Sequence, residues 1–300
     1  MEHKFYSHCN LLVVSEDAGE RLFKIERRKN KRKPVPVDFI NGVQKFIKVY
    51  CEYNLIVTPT VLFTLNGEIV SEGYFACAET MVCQGVLLLV LRNSPGGSAD
   101  KALLWDGVRV IWQQTASAFV YTDKYIAVFQ KEHWQVYDFK GLPIKMERKL
   151  SYAIQIKGDL LISDAVGCHD VYSLKTGELI MGNQMLVRAS EYRDFAIGVN
   201  LQNTATLWYA GKFMTFDNVA FVDIIDEIEL FYIKYKNFTY YSVFGYAGSM
   251  FELSRDLEFT AVDFISYDKD KKQLAIVCED NIAFYKVTRV NDVVTFQSPC

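Results

Sequence analysis

The stretch KYIAVFQKEHWQVYDFKGLPIKM, residues 124–146, decides the fold. Its first part, Tyr125–Gln130, is a short and almost wholly apolar run, which is typical of a strand buried on both faces. After a polar break, Trp134–Phe139 alternates large and polar residues as a second strand does. A glycine turn then leads to a third run at Leu142–Met146. With Ala118–Thr122 upstream, the pattern predicts a meander of four antiparallel strands, named a to d in chain order.

The same meander recurs from one end of the chain to the other. Apolar b strands begin at eight positions that lie 44, 32, 39, 34, 35, 35 and 44 residues apart. All-strand repeats of this period predict an all-β fold, a β-propeller of four-stranded antiparallel blades, and not a helical solenoid. We expect one propeller domain over residues 1–300, with eight blades, or with seven as the alternative. The b strands begin at Leu11, Leu55, Leu87, Ile126, Leu160, Phe195, Leu230 and Leu274, and each c strand that follows carries an aromatic residue, namely Phe23, Phe63, Trp105, Tyr137, Tyr172, Trp208, Tyr241 and Tyr285.

Residues 158–181, GDLLISDAVGCHDVYSLKTGELIM, resemble blades of the WD40 and quinoprotein-type propellers, which often contain the pattern VYDxxTGxxI. The resemblance extends over nearly the whole chain as a rhythm of strands and turns. The Gly-His and Trp-Asp signatures of WD40 repeats are missing, since Trp105-Asp106 occurs once and in a turn. The resemblance therefore implies the propeller superfamily and no specific family.

Composition favours a folded, soluble and intracellular protein. Half of the residues are hydrophobic and 14% are aromatic, which is typical of a globular chain. No apolar run is long enough to span a bilayer, and no secretory leader opens the sequence, so we expect no membrane insertion. The seven cysteines are scattered and form no CxxC, which favours reduced thiols and a cytoplasmic location.

The segment KIERRKNKRK, residues 24–33, is the most unusual in the chain. Seven of its ten residues are basic and one is acidic, a local charge of +6 in a chain of net charge −3. We interpret it as a loop between strands c and d, which either stays solvated without a partner or binds nucleic acid or another polyanion, an acidic protein surface or anionic lipid. A nuclear-import signal is a further use of such a run. The candidate partner-binding residues are Lys24, Arg27, Arg28, Lys29, Lys31, Arg32 and Lys33.

Other chemistry-bearing residues have simpler readings. Aspartates recur in the a–b turns, where Asp usually bonds its own backbone, and the c-strand aromatics are expected to pack between blades. Adjacent Cys and His residues occur at His8-Cys9 and Cys168-His169, but neighbours on a strand point to opposite faces, so we expect no metal site. No nucleophile, phosphate-loop or dinucleotide motif is present, so we expect no cofactor and no small-molecule substrate.

These observations favour a non-enzymatic propeller that serves as a scaffold or subunit of a larger assembly and binds other proteins. Divergent repeats leave a viral or phage structural or accessory protein open. The first alternative is binding of nucleic acid or another polyanion through residues 24–33. The second is a propeller enzyme that uses paired carboxylates in its central channel, although the sequence singles out no such pair.

Overall fold

A computed structural model describes residues 2–28, 31–40, 42–73, 75–92, 100–236, 241–245, 251–252, 262–278, 281–290 and 293–297. The described residues form 31 strands in seven antiparallel sheets, with two short 3₁₀ helices at Cys51–Tyr53 and Asp226–Ile228. Neither of these helices has the length or the apolar character needed to cross a membrane. The chain divides into two compact units, an N-terminal unit, Met1–Ile144, and a C-terminal unit, Lys145–Cys300.

The N-terminal unit contains four sheets of four strands, each a meander in chain order, and we number these meanders repeats 1 to 4. Repeat 1 comprises β1 (Glu2–Tyr6), β2 (Leu11–Glu16), β3 (Gly19–Arg28) and β4 (Lys31–Pro36). Repeat 2 comprises β5 (Lys48–Tyr50), β6 (Leu55–Val57), β7 (Val61–Thr64) and β8 (Ile69–Glu72). Repeat 3 comprises β9 (Cys77–Cys83), β10 (Val86–Arg92), β11 (Asp100–Trp105) and β12 (Val110–Ala116). Repeat 4 comprises β13 (Ala118–Tyr121), β14 (Tyr125–Gln130), β15 (His133–Asp138) and β16 (Pro143–Ile144).

The C-terminal unit contains one sheet of seven strands and two of four. The seven-stranded sheet comprises β17 (Ile154–Lys157), β18 (Leu160–Ala165), β19 (Cys168–Ser173), β20 (Leu179–Ala189), β21 (Phe195–Asn200), β22 (Ala205–Tyr209) and β23 (Lys212–Phe216). Repeat 7 comprises β24 (Val219–Ile225), β25 (Leu230–Tyr235), β26 (Tyr241–Gly245) and β27 (Phe251–Glu252). Repeat 8 comprises β28 (Val262–Asp268), β29 (Gln273–Cys278), β30 (Asn281–Val290) and β31 (Val293–Gln297).

The seven-stranded sheet holds repeats 5 and 6, which share the long strand β20. Its first half pairs with β19 and its second half with β21, and Gln184 is paired on both sides, with His169 and with Asn200. Asn183, at φ 57°, and register shifts on both sides of the strand mark the change from one partner to the other. Repeat 5 is therefore β17 to the first half of β20, and repeat 6 is the second half of β20 to β23.

Eight successive four-stranded meanders are the architecture of a β-propeller, so the predicted fold class is confirmed. The stretch at residues 124–146 forms β14, β15 and β16, as its pattern predicts. Both blade counts expected from the sequence, eight and seven, fit this topology, because eight repeats occupy seven sheets.

The b strands explain why the apolar runs are continuous. In β10, Leu87, Leu89 and Leu91 pack into a core with repeat 2, whereas Leu88 and Val90 pack into a core with repeat 4. All five side chains are 0% exposed. Since successive side chains of a strand point to opposite faces, a strand covered on both sides must be apolar at every position.

Two of the c-strand aromatics illustrate the predicted packing between neighbouring repeats. The indole of Trp105 in repeat 3 is buried and donates a hydrogen bond to the Tyr53 carbonyl of repeat 2 over 2.6 Å. The ring of Tyr137 in repeat 4 meets Trp112 of repeat 3 edge-on, with 5.1 Å between centroids. Large rings thus fill the space between adjacent sheets.

The expectation of reduced thiols is wrong for two of the cysteines. Cys9, in the turn after β1, and Cys51, in the first 3₁₀ helix, form a disulfide with an S–S distance of 2.05 Å. The two residues are 42 positions apart, and repeats 1 and 2 bring them together in a way that spacing in the sequence does not reveal. Among the described residues, Cys83 and Cys168 are free thiols.

Reduction of this disulfide is expected to lower the free energy of unfolding by about 2–3 kcal/mol, because the bond restricts the unfolded chain. Urea unfolding with and without a reductant measures the change. The double variant Cys9→Ser/Cys51→Ser is the control, and its stability should not respond to the reductant. A wild-type protein whose stability is the same in both conditions would contradict the prediction.

Candidate interaction surfaces

The basic segment at residues 24–33 is the part of the β3–β4 hairpin on either side of its turn, so its interpretation as a loop is wrong. Strand β3 continues to Arg28 and β4 begins at Lys31, while residues 29–30, and with them Lys29, lie outside the described residues. Lys24, Arg32 and Lys33 are exposed. A block of like charge is usually solvated, which favours a loop, but the backbone ladder between β3 and β4 overrides that tendency.

The register of this hairpin places like charges opposite each other. Arg27 pairs with Arg32 and Arg28 with Lys31, whereas Glu26 pairs with Lys33. Like charges at directly opposed positions destabilise a ladder, by a few tenths of a kcal/mol up to about 1 kcal/mol. The backbone register thus opposes residues of like charge at the two pairs nearest the turn.

A second candidate surface lies at the end of the seven-stranded sheet, around a cavity of about 340 Å³. Its polar lining centres on Asp164 and His169, whose Oδ1 and Nδ1 atoms are 2.9 Å apart. Arg188, at the opposite wall on β20, donates from Nε to Asp223 Oδ1 over 2.8 Å. Apolar side chains complete the lining, including Ile154, Ile162 and Leu186.

Three exposed apolar side chains lie on or beside strands β18 to β21, in the same sheet as this cavity. Val166 lies in the β18–β19 turn and is 84% exposed, Met185 on β20 is 49% exposed, and Leu201 in the β21–β22 turn is 69% exposed. Gln184, the residue before Met185, pairs with His169, three residues after Val166, and with Asn200, the residue before Leu201. We call Val166, Met185, Leu201 and the cavity the sheet-end surface.

The sequence interpretation missed the sheet-end surface. Val166 and Leu201 occupy tight turns between b and c strands, where polar residues and glycine are usual, and that departure was the available signal. The contribution of Met185 could not have been found in this way, since it depends on β20 serving two repeats.

A pair of carboxylates in repeat 3 is bridged by a guanidinium. Arg92 donates from Nη1 to Asp100 Oδ2 over 2.8 Å and from Nη2 to Glu79 Oε2 over 3.3 Å. The Tyr121 hydroxyl of repeat 4 donates to Glu79 Oε2 over 2.6 Å, which ties β13 to β9. Hydrogen bonds from Tyr121, and then from Arg92, hold the pKa of Glu79 below its usual value. Burial, and then the bond to Glu79, raises the pKa of Tyr121 to about 12. The arrangement serves to join two repeats.

The lowered pKa of Glu79 predicts a pH-dependent contribution to stability. This contribution is fully present above the ordinary glutamate pKa of 4.5 and is lost as the pH falls through the lower pKa of the folded state. The difference in unfolding free energy between the wild type and Glu79→Gln should therefore shrink as the pH falls from 6 towards about 3. Urea unfolding at each pH measures it, and a difference that stays constant over this range would refute the prediction.

Aspartates of the a–b turns also join neighbouring repeats of the C-terminal unit. Asp226 accepts hydrogen bonds from the Ser190 hydroxyl and from the Glu191 N–H, and so connects repeats 6 and 7.

Lys175 lies 2.8 Å from Asp194 and 3.0 Å from Asp159, and these carboxylates raise its pKa to about 12. The expected bonds to the turn's own backbone occur at Asp268, which accepts from the N–H groups of residues 270 and 271.

Among the described residues, no three His, Cys, Asp or Glu side chains are grouped so as to hold a metal ion. The adjacent pair Cys168-His169 lies on β19. Cys168 Sγ is 3.8 Å from Asn183 Oδ1, whereas His169 faces Asp164.

No protein-family model and no curated protein sequence matches the chain. Among solved structures, it is similar to Hsv2 of Kluyveromyces lactis at 14% identity and a TM-score of 0.33, over 82% of this chain and 93% of that one. A eukaryotic initiation factor is similar at 9% identity and a TM-score of 0.37, over 84% and 78%. A putative 6-phosphogluconolactonase of Bacteroides fragilis is similar at 12% identity and a TM-score of 0.28, over 80% and 89%. We draw no function from similarities of this size.

Proposed function

We propose that the chain is a non-enzymatic β-propeller scaffold that binds a protein partner of a larger assembly through the sheet-end surface. The observation that supports the proposal is the position of Val166, Met185 and Leu201, three exposed apolar side chains that the pairing of Gln184 with both β19 and β21 brings to one part of the sheet. Contiguous exposed apolar groups on a folded chain are typical of binding sites, whereas single ones are common everywhere.

The cavity suits an anchoring side chain of the partner. Its volume of about 340 Å³ exceeds that of one large residue, and its lining combines aliphatic walls with His169, Asp164 and Arg188. Interfaces derive most of their affinity from a few such anchors, while the surrounding apolar contacts exclude water. An aromatic side chain with a polar tip would satisfy both parts of this lining.

The double variant Val166→Asp/Leu201→Asp tests the proposal. The tagged protein is purified from its native source, and co-purifying proteins are quantified for the wild type, for the double variant and for Val108→Asp. Val108 is the matched control, because it is 81% exposed in a turn of the N-terminal unit. At least one partner should fall about tenfold in the double variant alone, a loss of about 1.4 kcal/mol of binding free energy. A partner set that is the same in all three samples would overturn the proposal.

The disulfide between Cys9 and Cys51 bears on the compartment. Disulfides are rare in the reducing cytosol, so the cysteines of this chain do not favour a cytoplasmic location.

A second candidate function is polyanion binding by the β3–β4 hairpin, favoured by the opposed like charges Arg27–Arg32 and Arg28–Lys31. Contacts of Lys and Arg with phosphates would make the affinity strongly dependent on salt.

Replacing Arg27, Arg28, Lys29, Lys31, Arg32 and Lys33 by serine should abolish binding to a short DNA duplex and to heparin. The control replaces four exposed lysines elsewhere in the chain, Lys131, Lys140, Lys145 and Lys149, and should bind as the wild type does. Unchanged retention of DNA and heparin by the six-residue variant would sink this candidate.

A further inference from the structure

Strand β23 is an exposed edge of the seven-stranded sheet. It pairs with β22 on one side, and the sheet order ends with it. Lys212, Phe213, Met214 and Thr215 are all exposed, with Phe213 at 56% and Met214 at 43%. An edge strand presents unpaired N–H and C=O groups, which makes it a template for another strand.

Other outer strands of this chain carry features that discourage such pairing. Strand β4 contains Pro34 and Pro36, and β16 is two residues long and begins with Pro143. The ladders that hold β8 and β12 have a register shift. Strand β23 has no proline, and its ladder with β22 runs through five pairs without a shift. Among the outer strands whose side chains are described, it alone lacks these features.

The geometry of the hairpin determines which backbone groups face outwards. Strands β22 and β23 are joined by Ala210 and Gly211, both at positive φ, 47° and 80°, which is the two-residue turn of a tight hairpin. The pair that closes such a turn, Tyr209 and Lys212, is hydrogen-bonded, and bonding alternates along the ladder from there. The backbone groups of Phe213 and Thr215 therefore point away from β22, on either side of Met214.

We propose that two copies of the chain pair through β23, antiparallel, about a two-fold axis at Met214. In this register the outward groups of Phe213 meet those of Thr215 of the second copy, and Met214 faces its own counterpart. Lys212 then stands opposite Phe216, so no two like charges are opposed, and an ammonium lies beside an aromatic ring. The strand is thus complementary to itself, as a two-fold interface requires.

The contact is short, so the dimer is reversible. Five residues on each side, Lys212–Phe216, bury less than the roughly 1,200–2,000 Å² of a stable interface. We therefore expect monomer at low micromolar concentration and dimer at high concentration. Sedimentation velocity over this range measures the equilibrium.

Two variants test the pairing by different routes. Met214→Lys places like charges on the axis, and Thr215→Pro removes an outward N–H that β22 does not use. Each should weaken dimerisation at least tenfold while leaving the thermal midpoint of the dilute protein within about 2 °C of the wild type. A wild-type chain that stays monomeric at the highest concentration would overturn the proposal, as would dimerisation that both variants leave unchanged.

Oxidative cross-linking tests the register. In a chain whose cysteines outside the Cys9–Cys51 disulfide are replaced by serine, Met214→Cys should form a covalent dimer, because the two introduced sulfurs meet on the axis. The replaced residues are Cys77, Cys83, Cys168, Cys278 and Cys300. Phe213→Cys in the same background is the matched control, since residue 213 faces Thr215 of the second copy. Equal yields of covalent dimer from the two variants would refute this register.

Discussion

Replacing Phe231 by alanine is expected to lower the free energy of unfolding by about 3–5 kcal/mol, a large part of the roughly 5–15 kcal/mol of an ordinary domain. Phe231 belongs to β25 of repeat 7 and is 0% exposed, with its side chain packed between repeats 6 and 7. Its ring centroid is 5.3 Å from that of Phe195, and Ile197, Leu207 and Val222 belong to the same core. Alanine would leave a cavity that rigid strands on both sides cannot close.

Phe213→Ala is the control for this prediction, because the same side chain is removed from a position that is 56% exposed. It should change the free energy of unfolding by no more than about 0.5 kcal/mol. Urea unfolding of dilute protein gives both values, and the slope with denaturant shows whether the two variants unfold as the wild type does. Equal losses at the two positions would contradict this assignment of the core.

Replacing Gly177 by alanine is expected to destabilise the C-terminal unit by about 3–4 kcal/mol, through two effects that act together. Gly177 has φ 79°, which L-residues with a Cβ rarely adopt. A Cβ at this position would also lie 2.0 Å from the Lys145 carbonyl oxygen. The backbone cannot yield easily, because the Glu147 N–H donates to the Gly177 carbonyl over 2.8 Å.

Gly211 separates the two effects. Its φ is 80°, almost the same as that of Gly177, but a Cβ there would meet no atom within 4 Å. Gly211→Ala should therefore show the conformational strain alone, about 1–2 kcal/mol. The difference between the two variants in thermal or urea unfolding measures the steric clash. Free-energy changes at independent sites usually add to within about 0.5 kcal/mol. If Gly177→Ala costs less than this amount beyond Gly211→Ala, residues 145–147 do not pack closely on the turn at Gly177.

The fold could be predicted from the sequence because the residues of each b strand are enough to indicate that the strand is buried. A run such as Leu87–Leu91 is apolar at every position, and that pattern reports burial on both faces without knowledge of any partner. The repeat of eight such runs, each followed by an aromatic c strand, then leaves few alternatives to a propeller.

The features that the sequence did not reveal depend on pairing across the chain. The hairpin at residues 24–33 forms because β3 and β4 share a ladder, and its charges alone favour a loop. Cys9 meets Cys51, and Asp226 meets Ser190, because adjacent repeats carry them to the same place. The sheet-end surface likewise requires the register of three strands, whereas its residues taken singly look ordinary.

Strand β20 has a consequence for how the C-terminal unit comes apart. No loop separates repeats 5 and 6, because the eleven residues of β20 form one continuous strand. Its first half pairs with β19 of repeat 5 and its second half with β21 of repeat 6. Opening either repeat frays the strand on which its neighbour depends, so the amide protons of both should exchange with solvent in a single cooperative event. New chain ends or an inserted domain would consequently be tolerated in the turns of these repeats and rejected at residues 179–189, where the two behave as one.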